Sequence, residues 1–361
     1  MDLSKLIEEA IKYADKFKSY DGGEVYNTYS DVSIIPTYLT KVSSRRDVDI
    51  QQEFNSIRNK KYKIFPAFGA SMSFMRSKMA VDLAKQDTLH VLPRIGLTYK
   101  ERLADIDKAG ERVGATIGLN EDDEFIEQLI QKKNLYMIAI SIAQAANHDT
   151  IKQLQRLSKL GIKNGVMPGT VGSVRGLAFL YNAMDNLGYE EKIIRVCIGG
   201  GAGCLTRLNA GVGVGSFTLI EKMRSFIDDQ GINDLKIITD GGIKFPGEFV
   251  KALTKCEGAM MGGIFASESM EDSVLEKVDG NLMLKYTGNA SKETSKSHRY
   301  VEGGVIYKDL NAKYADEIVL RLKDGLQSAM TYVNAINLDE FRQQVTFVSN
   351  SLGSIRESAL H

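Results

Sequence analysis

The stretch LKIITDGGIKFPGEFVKALTKCEGAMMGG, residues 235–263, contains two short apolar runs separated by an amphipathic segment. Each apolar run ends in a pair of glycines, and the segment between them, GEFVKALTKC, repeats its apolar residues at helical spacing. A strand, a helix and a second strand in this order are typical of a βαβ unit with parallel strands. This stretch therefore predicts a parallel sheet with helices packed against it.

The same alternation of apolar runs and helical patterns extends along most of the chain. Eight such runs favour a closed (β/α)8 TIM barrel of the α/β class over an open doubly wound sheet. Glycines follow several of the runs, and in a barrel these carboxyl ends of the strands form the face that carries active sites. The eight runs are KIFPAFGA (63–70), LHVL (89–92), VGATIGL (113–119), LYMIAISIA (135–143), IKNGVMPG (162–169), IIRVCIGG (193–200), LKIITDGG (235–242) and EGAMMGG (257–263).

The remaining segments suggest how the chain is divided. Residues 1–62 are expected to form an N-terminal helix and an extended preamble, and residues 63–361 the catalytic barrel. Within the barrel, the polar segment at about 270–310 has no clear period, which is typical of an active-site flap. The segment DEIVLRLKDGLQSAMTYVNA that follows predicts the last barrel helix. No CBS-type regulatory domain interrupts the pattern.

The composition excludes several classes of protein. Of 361 residues, 43% are hydrophobic and 25% charged, which fits a globular chain and not a disordered one. The 46 basic and 46 acidic side chains balance, which argues against a nucleic-acid binder. No apolar run approaches the roughly 20 residues of a membrane helix, and the charged N-terminal helix is unlike a signal peptide. Three cysteines without metal-type spacing indicate a reduced, cytoplasmic protein.

The segment IGGGAGCLTRLNAGVGVG, residues 198–215, is the strongest candidate for chemistry. A glycine-rich loop lets backbone N–H groups approach an anion, although this loop lacks both the P-loop lysine and the Rossmann order of glycines. Cys204 is either a small buried residue or a thiolate nucleophile, and its polar loop favours the nucleophile. Cys197, which lies in the sixth apolar run, and Cys256, which directly precedes the eighth, are expected to be buried.

A second candidate site follows the seventh and eighth runs. Asp240 ends the seventh run and either accepts hydrogen bonds from the two hydroxyls of a ribose or caps the next helix. The loops after strands seven and eight form the usual phosphate site of this barrel type. Together they predict a site for a ribose phosphate.

From about residue 29 to about residue 350 the chain resembles the IMP dehydrogenase and GMP reductase family. The resemblance implies that Cys204 attacks C2 of a purine to form a covalent thioimidate. It also implies that Thr206 and the flap residue Glu302 assist proton transfer. The matching segments are YSDVSIIP, FPAFGASMSFM, CIGGGAGCLTR with GVGVG, ITDGGIKFPGEFVKAL, AMMGGIFAS, KYTGNAS and RYVEGG.

Within that family the chain is more similar to the reductases. It lacks the regulatory insertion that most of the dehydrogenases carry. Its Arg299–Tyr300 pair abuts Glu302 instead of lying well upstream, where the water-activating pair of the dehydrogenases lies. The resemblance therefore implies reduction of GMP to IMP with NADPH and release of ammonia, in a homotetramer.

The resemblance also assigns binding roles. The cofactor side is expected to include Arg94, Ser141 and Thr170, and a monovalent cation such as K⁺ is expected at the carbonyls of Gly199, Gly201 and Cys204. The nucleotide is expected to contact Ser71, Met72, Gly203, Asp240, Gly241, Gly242, Gly262, Gly263, Tyr286, Gly288, Asn289, Ala290, Ser291, Arg299 and Gly303.

Several positions depart from the family pattern. Ala202 replaces a serine, Ser141 an aspartate and Thr170 an asparagine, while Pro93–Arg94 stands at a basic pair and Asn289 at a flap methionine or serine. These changes leave open a purine-like nucleotide other than GMP. Two further alternatives are an IMP dehydrogenase without its insertion and a homologue that only binds nucleotides.

Overall fold

The computed structural model describes residues 2–23, 25–201, 203–265, 274–287, 291, 303–309 and 315–357. These residues form 15 strands: β1 Val32–Ile35, β2 Gln52–Asn55, β3 Lys61–Ile64, β4 Ala67–Gly69, β5 Leu89–Leu92, β6 Val113–Ile117, β7 Leu135–Ser141, β8 Val166–Val171, β9 Lys192–Val196, β10 Leu235–Asp240, β11 Gly258–Met261, β12 Val274–Val278, β13 Asn281–Thr287, β14 Val305–Asp309 and β15 Thr346–Ser349.

Strands β4 to β11 form a closed barrel in chain order, and every pair of neighbouring strands is parallel. β11 pairs with β4 to close the ring. All eight predicted runs contain a barrel strand, so the predicted (β/α)8 TIM barrel is confirmed.

Twelve α-helices lie among the described residues. A helix connects each of the first seven barrel strands to the next one, and α10 follows the last barrel strand after the strands β12, β13 and β14. The short helix α7 is additional and belongs to the loop after β9. The helices are α1 Leu3–Ala14, α2 Ser77–Ala84, α3 Tyr99–Lys108, α4 Asp123–Gln131, α5 His148–Lys159, α6 Val174–Asn186, α7 Thr206–Asn209, α8 Ser216–Asp229, α9 Pro246–Leu253, α10 Ala315–Tyr332, α11 Leu338–Gln344 and α12 Leu352–Glu357.

An antiparallel hairpin, β2 and β3, closes the amino-terminal end of the barrel. Its side chains Phe54, Tyr62 and Ile64 join the apolar cluster that fills the barrel interior. The run at 63–70, expected to be one strand, forms parts of two, β3 and β4. Pro66 lies between them, and a proline has no N–H with which to continue a strand ladder.

The chain ends and the polar segment complete the description. β1 pairs with β15 beside the barrel, and α1 packs against α6. The polar segment, in which no regular pattern was expected, contains the antiparallel sheet β12–β13–β14. In the part of the chain that the structure describes, no helix is both long and apolar enough to cross a bilayer.

Gly165, which precedes β8, provides a test of how the hairpin is seated. Its φ is +65°, and a Cβ there would lie 2.5 Å from the Ile57 nitrogen and 2.7 Å from the Tyr136 carbonyl oxygen. Those two atoms form the hydrogen bond, 3.0 Å long, that joins the hairpin turn to the base of β7. A side chain at residue 165 would therefore press on backbone that cannot move away.

We expect Gly165→Ala to lower the free energy of unfolding by ~1–2 kcal/mol for left-handed strain and a further ~1–3 kcal/mol for the clash. Gly161→Ala is the matched control, since Gly161 has a φ of +82° but a Cβ added there would meet no atom within 4 Å. Urea unfolding followed by circular dichroism measures both. Equal unfolding midpoints for the two variants would contradict the clash.

Candidate active site

Cys204 lies in the glycine-rich loop between β9 and α7, at the carboxyl end of the barrel. Its backbone N–H donates to the Gly201 carbonyl oxygen at 3.0 Å, which fixes a tight turn just before the cysteine. The half-buried thiol donates to the Thr206 hydroxyl, with 3.2 Å between Sγ and Oγ1. The predicted nucleophile and one of the two predicted proton-transfer residues are thus in direct contact.

The other two cysteines have a different environment. Cys197 and Cys256 are buried, as expected, and burial raises the pKa of both thiols. Cys197 Sγ lies 3.2 Å from the Thr239 hydroxyl, which in turn contacts the Tyr29 hydroxyl at 2.8 Å. These contacts make Cys197 part of the packing behind the loop, and Cys204 is the more accessible thiol.

The segment before β14 lies against the cysteine loop. Gly303 forms an isolated antiparallel bridge with Cys204, and the Gly304 N–H donates to the Gly203 carbonyl oxygen at 2.8 Å. The structure therefore brings Gly203 and Gly303 together at the cysteine. The predicted residues Gly288, Asn289, Ala290, Arg299 and Glu302, as well as Ala202, lie outside the described residues.

Two other predicted nucleotide contacts come from the same part of the chain. Tyr286 lies on β13, where its backbone pairs with Ile306 of β14. Ser291 is buried. Neither observation tests a contact with a nucleotide.

The loop after β10 packs on the cysteine loop, backbone against backbone. A Cβ on Gly241 would lie 2.9 Å from the Gly201 nitrogen, so only glycine permits this approach. Gly242 follows with a φ of +79°, and Gly262 and Gly263 follow the neighbouring strand β11. The predicted phosphate-binding glycines therefore gather at one side of the barrel mouth, next to Cys204.

The sequence suggested two roles for Asp240, ribose binding or capping of the next helix, and the structure excludes the capping role. Glu248 serves the start of α9 instead, where its carboxylate accepts from the backbone N–H groups of Lys244 and Phe245 at 2.6 and 3.2 Å. Asp240 pairs with Arg195, with 3.1 Å between Oδ2 and Nη1. Burial raises the pKa of the Asp240 carboxyl, and the positive charge of Arg195 partly offsets this rise.

Arg195, on β9, was not identified from the sequence. Its guanidinium also donates to the Ser141 hydroxyl at 2.7 Å and to the Gly169 carbonyl oxygen at 3.0 Å. The available signal was a charged residue inside the apolar run IIRVCIGG, which is expected to be buried on both faces. A charge buried there needs a partner.

Across the mouth, a cavity of about 300 Å³ lies beside the ends of β5 and β6. Arg94, one of its lining residues, donates from Nη2 to the Ser141 carbonyl oxygen at 3.3 Å. The buried Nε of Arg94 has no partner among the described residues. The cavity is lined by Arg94, Gly118, Leu119, Asn120, Glu121 and Ile142.

The acidic residue of this cavity, Glu121, is held in a fixed position and in its ionised form. Glu121 accepts hydrogen bonds from the Arg102 guanidinium at 2.9 and 3.2 Å and from the Gly118 N–H at 2.6 Å. Burial opposes ionisation, but these hydrogen bonds and charges hold the pKa of Glu121 below its ordinary value. Asn120 and Glu121 were not identified from the sequence. The predicted Thr170 is not among the cavity residues, and its hydroxyl donates to the Ala143 carbonyl oxygen at 3.0 Å.

The loop after β4 carries the predicted purine contacts. Ser71 is buried and Met72 is half-buried. His90 supports this loop from inside the barrel wall, with its Nε2 2.6 Å from the Met75 carbonyl oxygen. Burial lowers the pKa of His90 to about 4, so the ring is neutral at physiological pH. His90 is thus a structural residue of this loop.

Among the described residues, no group of three or more His, Cys, Asp or Glu side chains could hold a metal ion. The predicted site for a monovalent cation differs from such a group because its ligands are backbone carbonyl oxygens and not side chains. Of its three proposed ligands, the Gly201 carbonyl oxygen already accepts the N–H of Cys204.

We expect iodoacetamide to alkylate Cys204 in the native protein well before Cys197 or Cys256. Both of these are buried and their thiol pKa values are raised, so the reactive thiolate is scarce and shielded. Peptide mass spectrometry after timed labelling distinguishes the three sites, and labelling in denaturant provides the control in which all three react. Equal native labelling rates would contradict this arrangement.

The comparison with known proteins agrees with this geometry. The model of the IMP dehydrogenase / GMP reductase domain matches residues 26–361. A GMP reductase from Staphylococcus carnosus is 26% identical over 339 residues, which cover 90% of this chain and 97% of that protein. A GMP reductase from Latilactobacillus sakei is 28% identical over 322 residues, covering 87% and 94%.

A dehydrogenase is also similar to the chain. The inosine-5'-monophosphate dehydrogenase of Thermoplasma acidophilum is 28% identical over 274 residues, which cover 72% of this chain and 53% of that protein. The chain thus spans about half the length of this relative and nearly the whole length of the two reductases. With the domain model matching most of its residues, the chain belongs to the IMP dehydrogenase / GMP reductase family of oxidoreductases.

Proposed function

We propose that this protein reduces a purine nucleotide with NADPH, most simply GMP to IMP with release of ammonia. The observation that carries the proposal is the contact between the Cys204 thiol and the Thr206 hydroxyl at the carboxyl end of the barrel. The two GMP reductases that match over nearly their full lengths support the reductive direction.

In the proposed reaction, the Cys204 thiolate adds to C2 of the purine and forms a C–S bond. The C2–N bond to the exocyclic amine then breaks, and ammonia leaves with a proton delivered through Thr206 and Glu302. NADPH, when bound, would supply the hydride that reduces C2, and the C–S bond would then break to return the Cys204 thiolate and release IMP. The covalent intermediate divides one difficult displacement into two easier steps.

The nucleotide is held, in this proposal, by the side of the mouth next to Cys204. Asp240 accepts hydrogen bonds from the ribose hydroxyls, and the glycines after β10 and β11 present backbone N–H groups to the phosphate. Ser71 and Met72 border the purine. The packing of Gly241 against Gly201 supports this assignment, because it keeps the ribose residue and the cysteine loop in fixed relation.

The cavity beside β5 and β6 suits the cofactor. Arg94 lines this cavity, and its buried guanidinium Nε has no hydrogen-bond partner in the described chain. Glu121 also lines the cavity, and its ionised carboxylate can accept a hydrogen bond from a hydroxyl group. A dinucleotide carries both phosphate and ribose groups that match such donors and acceptors. We therefore assign Arg94 and Ser141 to the cofactor side, together with Asn120 and Glu121. Thr170 is also assigned to the cofactor side, because its position in the sequence matches the family residue found there.

Two further parts of the proposal come from the family resemblance. A monovalent cation such as K⁺ is assigned to the carbonyls of Gly199, Gly201 and Cys204. The assembly is assigned as a homotetramer. Activity with and without K⁺ and light scattering of the purified protein test these two assignments separately.

We expect Cys204→Ala to abolish oxidation of NADPH by GMP while GMP still binds. Thr206→Val should lower kcat by ~10²–10⁴-fold, since the loss of one proton-transfer group has effects of this size. Cys256→Ala is the matched control. Cys256 is a buried thiol that precedes the amino-terminal end of β11, away from the barrel mouth, so this variant should retain turnover. The decrease of nicotinamide absorbance gives the rate, and ammonia and IMP are quantified in the same samples.

Turnover by the Cys204→Ala variant would contradict the covalent mechanism. Formation of XMP from IMP and NAD would assign the protein to the dehydrogenases instead. Turnover only with another purine nucleotide in a parallel panel would keep the mechanism and change the substrate. Nucleotide binding without turnover in any combination would contradict an enzymatic role.

A further inference from the structure

The barrel interior changes from apolar to polar at its carboxyl end. Successive side chains of a strand point to opposite faces, so every second residue lines the interior. On β7 the interior core residues Met137 and Ala139 are followed, two residues later, by Ser141. On β9 and β10, Arg195 and Asp240 likewise stand two residues after an interior core residue of the same strand.

Ile193 is the interior core residue that precedes Arg195 on β9, and Ile238 is the one that precedes Asp240 on β10. Above the apolar layers of the interior, three different strands therefore contribute a hydroxyl, a guanidinium and a carboxylate to one polar layer. This layer forms the floor of the barrel mouth.

Arg195 is the centre of this layer. Only 5% of its side chain is exposed, compared with 24% for Asp240. Besides Asp240, Ser141 and the Gly169 carbonyl oxygen, its Nη1 lies 3.4 Å from the sulfur of Met260 on β11. The guanidinium thus has contacts on four other strands, β7, β8, β10 and β11.

The barrel wall has room for this arginine only because residue 169 has no side chain. A Cβ on Gly169 would lie 2.4 Å from the Arg195 Cβ and 2.7 Å from the Arg195 carbonyl oxygen. The backbone of β8 therefore approaches β9 closely enough to accept the guanidinium hydrogen bond. The planar guanidinium has several donors in fixed directions, which allows one side chain to hold separate acceptors at once.

We propose that Arg195 is a positioning residue that links the nucleotide site to the cofactor site by holding the Asp240 carboxylate and the Ser141 hydroxyl with one guanidinium. The proposal rests on the proposed function, which assigns Asp240 to the ribose and Ser141 to the cofactor. Because one rigid group fixes both, a ligand that orders Asp240 also orders Ser141. The two ligands then bind with a coupling that is reciprocal by thermodynamic necessity.

The same arrangement determines how nucleotide binding depends on pH. The titratable groups that face Asp240 among the described residues are Arg195 on β9 and the buried thiol of Cys197 just after β9. Burial raises the carboxyl pKa and Arg195 opposes the rise. Ribose binding by an ionised Asp240 is present above its pKa and lost as the pH falls through it. Loss of the Arg195 charge therefore moves this acid limb to higher pH.

The first experiment measures the Kd of GMP by calorimetry, without cofactor, from acid to neutral pH. We expect Arg195→Met to raise the Kd about tenfold or more, which corresponds to ~1.4 kcal/mol. It should also move the acid limb to higher pH, because the carboxylate loses the positive charge that lowers its pKa. Arg195→Lys keeps the charge and should keep the limb near its wild-type position.

Arg224→Lys is the matched control. Arg224 forms another largely buried ion pair, 2.6 Å long, with Glu257 at the amino-terminal end of β11, away from the mouth. The Arg224→Lys variant should leave both the Kd of GMP and the acid limb of its pH dependence unchanged.

The second experiment measures coupling directly and does not depend on a foldable Arg195→Met variant. The Kd of NADP⁺, which cannot reduce GMP, is compared with and without saturating GMP. We expect a wild-type ratio in the range of ~5–150 and a ratio near one for Ser141→Ala, and also for Arg195→Lys, whose single ammonium is too compact to span both acceptors. An unchanged ratio in folded variants would overturn the proposal.

Asp240→Ala separates failure of this inference from failure of the proposed function. If Asp240→Ala leaves the Kd of GMP unchanged, the ribose assignment itself is wrong, and the link with it. If Asp240→Ala weakens GMP binding while Arg195→Met alters neither the Kd nor the acid limb, Arg195 has no positioning role and only the inference is overturned.

Discussion

The pairing of β11 with β4 is the constraint on which the rest of the structure depends. These two strands close the ring, and closure encloses one interior that must be filled and sealed. Apolar side chains fill most of it, and the hairpin formed by β2 and β3 seals the amino-terminal end. Only the carboxyl end remains for polar groups, which is why the Cys204 thiol, the carboxylates and the guanidinium groups of the candidate site gather there.

Close backbone packing then fixes the candidate site. The loops after β9 and β10 meet at Gly201 and Gly241, where a side chain would not fit. The segment containing Gly303 adds a third backbone to the same cluster through its bridge to Cys204. Backbone contacts of this kind allow little relative movement. They therefore hold Cys204 at a constant distance from the loop after β10, which is the fixed geometry that the proposed covalent mechanism requires.

The sequence predicted much of the fold because parallel strands covered on both faces give continuous apolar runs. All eight runs contain a barrel strand, and the last predicted barrel helix is α10. The first run was assigned too long because its apolar pattern continues through Pro66, where strand pairing changes from the hairpin to the barrel. The sheet β12–β14 was missed because its short apolar runs lie within a segment that is polar elsewhere and has no clear period along its length.

The sequence by itself determined the order of the barrel strands and helices and the position of the glycine-rich loop. It also placed Cys204 and Thr206 only two positions apart, so that the contact between them is local. The tertiary structure alone decided that Asp240 pairs with Arg195 and does not cap the next helix, and that the Arg195 cluster exists. The partners of Arg195 lie on strands far away in the chain, and their distances are set by barrel closure and by the missing side chain at Gly169. Local sequence patterns carry no information about such distances, because they arise only when the whole ring has formed.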